Sequence, residues 1–189
     1  QSPVTGITHN PWKLGMSAGA SSSGAGVGAA AGYGPLHQGS DGAGSIRMPA
    51  HFCGVFGLKP TYGRVPQSPM APSDNTVHLG PLTRNVADAA LLLKVMAGRH
   101  PDDMSSLEAD PADYPGLLAN RPRAPRIAYS PYLGDARVDP DVAELVRNAW
   151  AAFETALGWR VEQVETPWGP KGPALVRLFL SILPSGLVR

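Results

Sequence analysis

Glycine is unevenly distributed along this chain, and that distribution constrains the fold more than any other feature. Residues 1–70 contain 14 of the 22 glycines of the 189-residue sequence, and Asp41 is the one acidic residue among them. A solvent-exposed surface normally carries charges of both signs, so we expect this stretch to lie inside a larger protein. A flexible glycine-rich linker is the alternative. Large apolar residues, which such a linker does not need, interrupt the glycines at Trp12, Val27, Tyr33, Leu36, Ile46, Met48, Phe52, Val55, Phe56 and Leu58.

The overall composition excludes several classes of protein. The 16 lysines and arginines nearly balance the 15 aspartates and glutamates, and the net charge of +1 gives no electrostatic basis for binding nucleic acid or an anionic membrane. Apolar residues make up 43% of the chain, but no apolar run approaches the roughly 20 residues of a membrane helix. Cys53 is the single cysteine, which excludes an intramolecular disulfide and favours a cytoplasmic location.

Residues 126–164 have the clearest pattern of secondary structure. The segments 126–130 and 159–164 predict strands, and the helix between them is capped by Asp139 and ended by Gly158. A strand–helix–strand unit places its two strands in one parallel sheet. The sequence therefore predicts an α/β fold.

The other predicted elements are shorter or less regular. An apolar face over 86–97 predicts a helix that Thr83 or Asn85 caps and that Gly98 ends. The remaining predictions are a helix over 27–31 that ends at Gly32, a short buried strand over 55–58, a helix over 174–183, and proline-rich loops over 59–81 and 99–125.

The segment GSDGAGSIR, residues 39–47, has the composition of an oxyanion-binding turn around a nucleophilic serine. Gly42, Ala43 and Gly44 carry little side chain, so their backbone N–H groups can point at one place. An oxyanion formed when Ser45 attacks a carbonyl carbon would be stabilised there. The serine would still need a base, and a simple tight turn or helix cap is the alternative for a single Gly-Ser motif.

A second serine cluster, GASSSG at 19–24, favours an enzyme site over a simple turn. Other motifs indicate no cofactor: GAGVGA at 24–29 resembles a dinucleotide-binding loop but lacks the preceding apolar strand and the downstream acidic residue. No histidine pairs with another potential ligand at metal-binding spacing, so we predict neither a metal nor a cofactor. A Ser45–His–Asp triad through His37 or His51 stays open, although nothing in the spacing supports it.

Long segments of the chain also follow the pattern of a known family. They are GMSAGASSSG at 15–24, GSDGAGSIRMPA at 39–50, FCGVFGLKPTYGRVP at 52–66, GPLTRNVADAA at 80–90 and RIAYS at 126–130. This pattern resembles the amidase signature family, most closely over 9–66. The resemblance implies that residues 1–189 are part of a single domain of that family, an α/β domain in which helices surround a mixed sheet. We expect an N-terminal and a C-terminal portion of that domain to lie outside this chain.

The resemblance implies a serine–cis-serine–lysine triad. Ser45 matches the nucleophile, and Ser21 matches a serine that follows a cis peptide bond, a form that costs about 2.5–4 kcal/mol before a non-proline residue. In the family, the cis-serine relays a proton from the nucleophile to a neutral lysine. An acyl-enzyme forms as the amine leaves, and water releases the acid. The oxyanion hole matches the N–H groups of Gly42, Ala43, Gly44 and Ser45.

The chain departs from the family pattern in three ways. Ala20 and Ser23 replace glycines of the serine cluster, and Ser40 replaces a threonine. Ala43 replaces a glycine, so that a methyl group lies beside the predicted oxyanion hole and restricts positive φ. The triad lysine has no match, and we expect it before Gln1, which would leave this chain alone inactive. The four lysines that fail to match it are Lys13, Lys59, Lys94 and Lys171.

Three functions are compatible with these residues. The first is an amidase that cleaves a carboxylic or aryl amide C–N bond through an acyl-serine, acting on a small-molecule substrate as a monomer or homodimer. The second is the A subunit of a tRNA-dependent glutamyl or aspartyl amidotransferase, although residues 66–79 lack the Ser-Ser-Leu-Asp-Gln run typical of it. The third is a non-catalytic homologue or an inactive truncated form.

Overall fold

The structure is a computed structural model that describes residues 3–69, 76–120, 125–133 and 136–165, together with Gly172, Ala174 and Leu175. The chain divides into two compact units, Gln1–Asn120 and Arg121–Arg189. Each unit contains its own helices and its own sheet, and they are described in turn.

The first unit contains a three-stranded antiparallel sheet. Its order is β1-β3-β2, with Gly39 opposite Gly80 and Gly57 opposite Leu82. The described elements of this unit are α1 (Ser23–Ala31), β1 (His37–Asp41), α2 (Arg47–Cys53), β2 (Phe56–Gly57), β3 (His78–Thr83), α3 (Val86–Met96) and α4 (Tyr114–Leu117).

Helix α1 begins at Ser23, earlier than predicted, and ends as predicted at Gly32, whose φ of 77° is left-handed. Glycine inside a helix costs about 1 kcal/mol relative to alanine. The buried Gly28 occupies such a position because a Cβ there would lie 2.8 Å from the ring of His37 on β1. Gly28 therefore allows β1 to approach this helix closely.

Two loop predictions were wrong. Residues 59–81 were expected to be loop, but β3 begins at His78 and forms the centre of the sheet. Pro81 led to the loop prediction, because proline has no N–H to donate within a sheet. Its carbonyl still takes part in strand pairing and accepts a hydrogen bond from the Leu58 N–H at 3.1 Å. Within 99–125, α4 forms one helical turn, which tolerates Pro115 because the first turn needs no intrahelical N–H.

The predicted helix over 86–97 is confirmed as α3, although it ends at Met96, with Ala97 rather than Gly98 at its C-cap. Asn85 caps it by accepting a hydrogen bond from the Asp88 N–H at 2.8 Å. The core of the first unit is small: Ile46, Ala50 and Leu82 are buried together. Because Ile46 directly follows Ser45, this core anchors the segment that carries the predicted nucleophile.

The second unit confirms the predicted strand–helix–strand pattern and with it the α/β class. Strands β4 (Arg126–Tyr129) and β5 (Arg160–Gln163) are parallel. Helix α5 (Pro140–Leu157) joins them, and Asp139 caps it by accepting from the Asp141 N–H at 2.9 Å. The helix predicted over 174–183 lies almost entirely outside the described residues. Within the described ranges, no helix is long and apolar enough to cross a membrane.

Candidate active site

The turn between β1 and α2 is organised around the carboxylate of Asp41. This side chain is fully buried at the end of β1. It accepts hydrogen bonds from the backbone N–H groups of Gly44 at 2.6 Å, Ile46 at 3.2 Å and Arg47 at 3.2 Å. Ser45 lies between these donors, so the carboxylate fixes the backbone on both sides of it.

Arg47 completes the environment of this carboxylate. Its Nε and Nη2 each lie 2.9 Å from an oxygen of Asp41, which is the bidentate geometry of a strong ion pair. Burial on its own raises the pKa of the Asp41 carboxyl. The hydrogen bonds from the Arg47 side chain and from the backbone N–H groups of Gly44, Arg47 and Ile46 outweigh burial and hold that pKa well below its usual range. The carboxylate is therefore charged across the physiological pH range.

The structure brings Ser21 and Ser45 together, although 24 residues separate them. The Ser21 N–H donates to Ser45 Oγ over 3.4 Å. Ser22 holds this loop against β1, because its Oγ accepts from the Ser40 N–H at 3.1 Å and donates to the Ser40 carbonyl at 3.2 Å. The loop that carries Ser21 and the turn that carries Ser45 are thus fixed side by side.

The donors predicted for the oxyanion hole are not equivalent. Gly44 is buried, and its N–H is taken by Asp41. Gly42 and Ala43 are exposed, and within the described part of the chain their N–H groups and that of Ser45 have no protein acceptor. The positive φ of this turn, 111°, falls on Gly44 rather than on Ala43. The restriction that the Ala43 methyl group places on positive φ therefore does not affect this turn.

The peptide bond before Ser21 is trans. Among the described residues, the cis bond is Ser68–Pro69. The trans form is favoured by about 2.5–4 kcal/mol at a non-proline residue, so a cis form needs contacts that hold it. The cis bond before Ser21 stays a prediction for the longer protein.

The described residues supply no base to the two serines. Lys94 pairs with Asp113 at 2.6 Å, and no contact joins a lysine to Ser21 or Ser45 in the described ranges. The open histidine triad finds no support there either. The Nε2 of His37 lies 3.2 Å from the carbonyl of Gly34, and the ring of His51 packs beside Phe52.

Two open clefts flank Ser21. Their volumes are about 630 and 590 Å³. Among the described residues that line them, none is a lysine, arginine, aspartate or glutamate.

Comparison with known proteins assigns this chain to a family. The family model described as Amidase matches residues 1–186. The chain belongs to the amidase signature family. It is 48% identical over 165 residues to an acylamidase from Rhodococcus erythropolis, covering 87% of this chain and 34% of that protein. It is 39% identical over 168 residues to the A subunit of the glutamyl-tRNA(Gln) amidotransferase from Gloeobacter violaceus, covering 88% and 34%.

A solved structure confirms the fold of this amidase-family chain. The crystal structure of a bacterial aryl acylamidase of the amidase signature family superposes with a TM-score of 0.78 at 36% identity, over 87% of this chain and 34% of that one. The chain thus spans about a third of the length of the relatives it matches.

Sequence reasoning singled out the two serines of this family member but missed the residues that hold them. Asp41 was noted only as a lone charge, and Arg47 and Ser22 were not singled out. A signal for Asp41 was present, because a lone acidic residue in a glycine-rich, largely uncharged stretch needs a partner when it is buried. Arg47, six residues later, is the nearest such partner in the same segment.

Proposed function

We propose that the protein of which this chain is part is an amidase that hydrolyses a carboxylic or aryl amide through an acyl-enzyme on Ser45. One observation carries the proposal: Ser45 Oγ lies 3.4 Å from the Ser21 N–H, in a turn fixed by the buried Asp41 and beside N–H groups without a protein acceptor among the described residues. Nucleophilic acyl transfer needs this combination of a positioned hydroxyl and free oxyanion donors.

The proposed reaction runs in two steps. Ser45 Oγ attacks the amide carbon while its proton passes through the Ser21 hydroxyl to a lysine, which we place in the part of the longer protein outside this chain. The N–H groups of Gly42, Ala43 and Ser45 stabilise the oxyanion, and the C–N bond breaks as the amine takes the proton. Water then attacks the acyl-serine and releases the acid. We expect this chain alone to be inactive, because its described residues supply no base.

The proposed substrate is a small neutral amide. The absence of charged side chains from the described walls of the clefts around Ser21 supports this class. The acylamidase relative supports it as well, at 48% identity. We propose a cytoplasmic location, supported by the free, buried thiol of Cys53, and either a monomer or a homodimer as the working form.

Covalent labelling of the full-length protein tests the nucleophile. A fluorophosphonate should modify Ser45, as shown by mass spectrometry of the labelled peptide, and Ser45→Ala should abolish labelling without unfolding the protein. Ser21→Ala should slow labelling strongly, because the relay is broken. Ser23→Ala is the matched control from the same cluster and should label like the wild type. Label on another serine would refute the assignment.

The A component of an amidotransferase is the second candidate, and the 39% identity to a protein of that kind supports it. That function requires partner proteins, so the full-length protein would then co-purify in a stable complex and transfer ammonia to a charged tRNA. A protein that is isolated alone and hydrolyses simple amides would exclude it. A folded full-length protein that fluorophosphonates do not label would instead support the non-catalytic homologue.

A further inference from the structure

Helix α2 connects the two serine-bearing segments. Ser45 lies two residues before its first residue, Arg47, and the chain that leads to Ser21 runs past its last turn. That chain first folds back on itself over 9–17, where His9 pairs with Ser17 and the Asn10 N–H donates to the Met16 carbonyl at 2.9 Å. The two ends of one short helix therefore contact the two halves of the site.

Two side chains of this folded segment bind the C-terminal end of α2. Asn10 Nδ2 donates to the Phe52 carbonyl at 2.7 Å, and Trp12 Nε1 donates to the Cys53 carbonyl at 2.7 Å. The last carbonyls of a helix have no intrahelical partner, so these two bonds satisfy groups that would otherwise need water. Trp12 is 71% exposed in this chain, so the Nε1–H bond is the contact that the structure shows between its side chain and the end of α2.

The chain between this segment and Ser21 rests directly on α2. A Cβ on Gly19 would lie 2.6 Å from the backbone nitrogen of Pro49. The Sγ of the buried Cys53 lies 3.7 Å from the carbonyl of Ala18. The approach is so close that a shift of α2 against this peptide would change the distance between Ser45 and Ser21.

We propose that Asn10 and Trp12 are positioning residues that set the placement of Ser45 relative to Ser21 by clamping the far end of α2. A seven-residue helix is only about 10 Å long and moves as a rigid unit, so releasing one end displaces the other. A displacement of about 1 Å at reacting groups can cost about 10²-fold in rate. This inference rests on the proposed function, since it gives the clamp a role in the reaction of Ser45.

Trp12→Phe in the full-length protein tests the clamp, because it removes the Nε1–H donor and keeps an aromatic ring. We expect the rate constant for fluorophosphonate labelling of Ser45, measured per labelled site, to fall about tenfold, equivalent to about 1.4 kcal/mol. On an amide substrate, kcat should fall while KM stays unchanged. A role in stability alone would lower the fraction of protein that labels and leave the rate constant per site at the wild-type value.

The matched control is Trp150→Phe, which makes the same chemical change in α5. Trp150 Nε1 is buried without a hydrogen-bond partner among the described residues, so this variant loses no such bond and should label at the wild-type rate. Asn10→Asp is the second test. It keeps the acceptor for the Trp12 N–H, at 2.9 Å, but removes the donor to the Phe52 carbonyl and to the Ser17 carbonyl, which lies 3.3 Å away, and it should also slow labelling.

The outcomes separate the clamp from the proposed function. Slower labelling per site in Trp12→Phe and Asn10→Asp, with Trp150→Phe unchanged, supports the clamp. Wild-type rate constants in both variants overturn it, and so does failure of both to fold, since the contacts would then serve the fold alone. A wild-type protein that does not label at Ser45 contradicts the proposed function itself, and that result is visible before any variant is made.

Discussion

The second unit and the serine-bearing part of the first unit encode their structure in opposite ways. In the second unit, α5 runs for 18 residues, an aspartate caps it and a left-handed glycine ends it, so each boundary has a local cause. In the first unit, α1 and α2 have nine and seven residues, and neither has a side-chain cap at its N-terminus. Isolated helices that short are not stable in water, so tertiary contacts must hold them.

The difference separates elements that are stable through local interactions from the segments that carry the two serines. A long capped helix keeps its shape whatever lies beside it. The serine-bearing segments instead depend on contacts between residues distant in sequence, such as those from Ser22 to Ser40 and from Trp12 to Cys53. Substitutions that break these long-range contacts in the first unit should therefore affect stability and labelling of Ser45 together, whereas substitutions in the second unit should affect stability alone.

Asp41→Ala should have the largest effect. It removes a buried carboxylate and leaves the guanidinium of Arg47 and three backbone N–H groups without their acceptor, which costs about 3–5 kcal/mol. Chemical denaturation of the full-length protein should show this loss, and Ser45 labelling should fall with it. Asp113→Ala breaks the exposed pair with Lys94 and should cost less than about 1 kcal/mol. Equal losses in the two variants would contradict the role given to burial.

The pH dependence of stability sharpens this result. The pKa of Asp41 is lowered in the folded state, so its stabilising contribution is fully present above the unfolded pKa of about 3.9. That contribution is lost as the pH falls below this value towards the folded pKa. The difference in unfolding free energy between the wild type and Asp41→Asn should therefore shrink on acidification below about pH 4. Gly158→Ala, which removes no titrating group, should keep a constant difference.

The features that depend on local interactions could be predicted from the sequence, and those that depend on long-range contacts could be predicted only in part. The helix and strand boundaries of the second unit were predictable because periodicity, Asp139 and Gly158 act within a few residues of the elements they limit. Ser21 and Ser45 could also be singled out, from their motif. Their surroundings could be predicted only in part. The lone charge of Asp41 indicated a need for a partner, but neither its bond to the Gly44 N–H nor the strand containing Pro81 leaves a periodic signal.

Substitution of a glycine by alanine should have a larger effect in the first unit than in the second. Gly19 and Gly158 both have positive φ, 103° and 66°, so alanine at either costs about 1–2 kcal/mol in backbone strain. At Gly19 the new Cβ would also meet the backbone of Pro49, which adds about 1–3 kcal/mol of overpacking. At Gly158 it would meet no atom within 4 Å. Chemical denaturation should therefore show a larger loss of unfolding free energy for Gly19→Ala than for Gly158→Ala. Ser45 labelling should slow in Gly19→Ala alone.

A smaller effect is expected at the residue before each helix. Asp139→Ala removes a local cap and should cost about 1 kcal/mol without changing Ser45 labelling. Ser22 occupies the same position before α1, but its Oγ bonds to Ser40 instead of capping. Ser22→Ala removes two hydrogen bonds with Ser40, at about 1 kcal/mol each, so it should cost about 2 kcal/mol and should also slow labelling. Unchanged labelling in Ser22→Ala would remove the distinction between the two positions.

The smallest effect is expected for Ala43→Gly, which restores the glycine of the family pattern. Ala43 is exposed and its φ is not positive, so the methyl group neither packs in the core nor strains the turn. The variant should be less stable to unfolding by about 0.4–1 kcal/mol, because glycine increases the conformational entropy of the unfolded chain. Its Ser45 should be labelled at the wild-type rate. Gly44→Ala should instead destabilise the protein more and slow labelling, because the φ of Gly44 is 111° and a Cβ there would lie 3.1 Å from Met48 Sδ. A labelling rate raised about tenfold by Ala43→Gly would mean that the methyl group obstructs the oxyanion donors by about 1.4 kcal/mol.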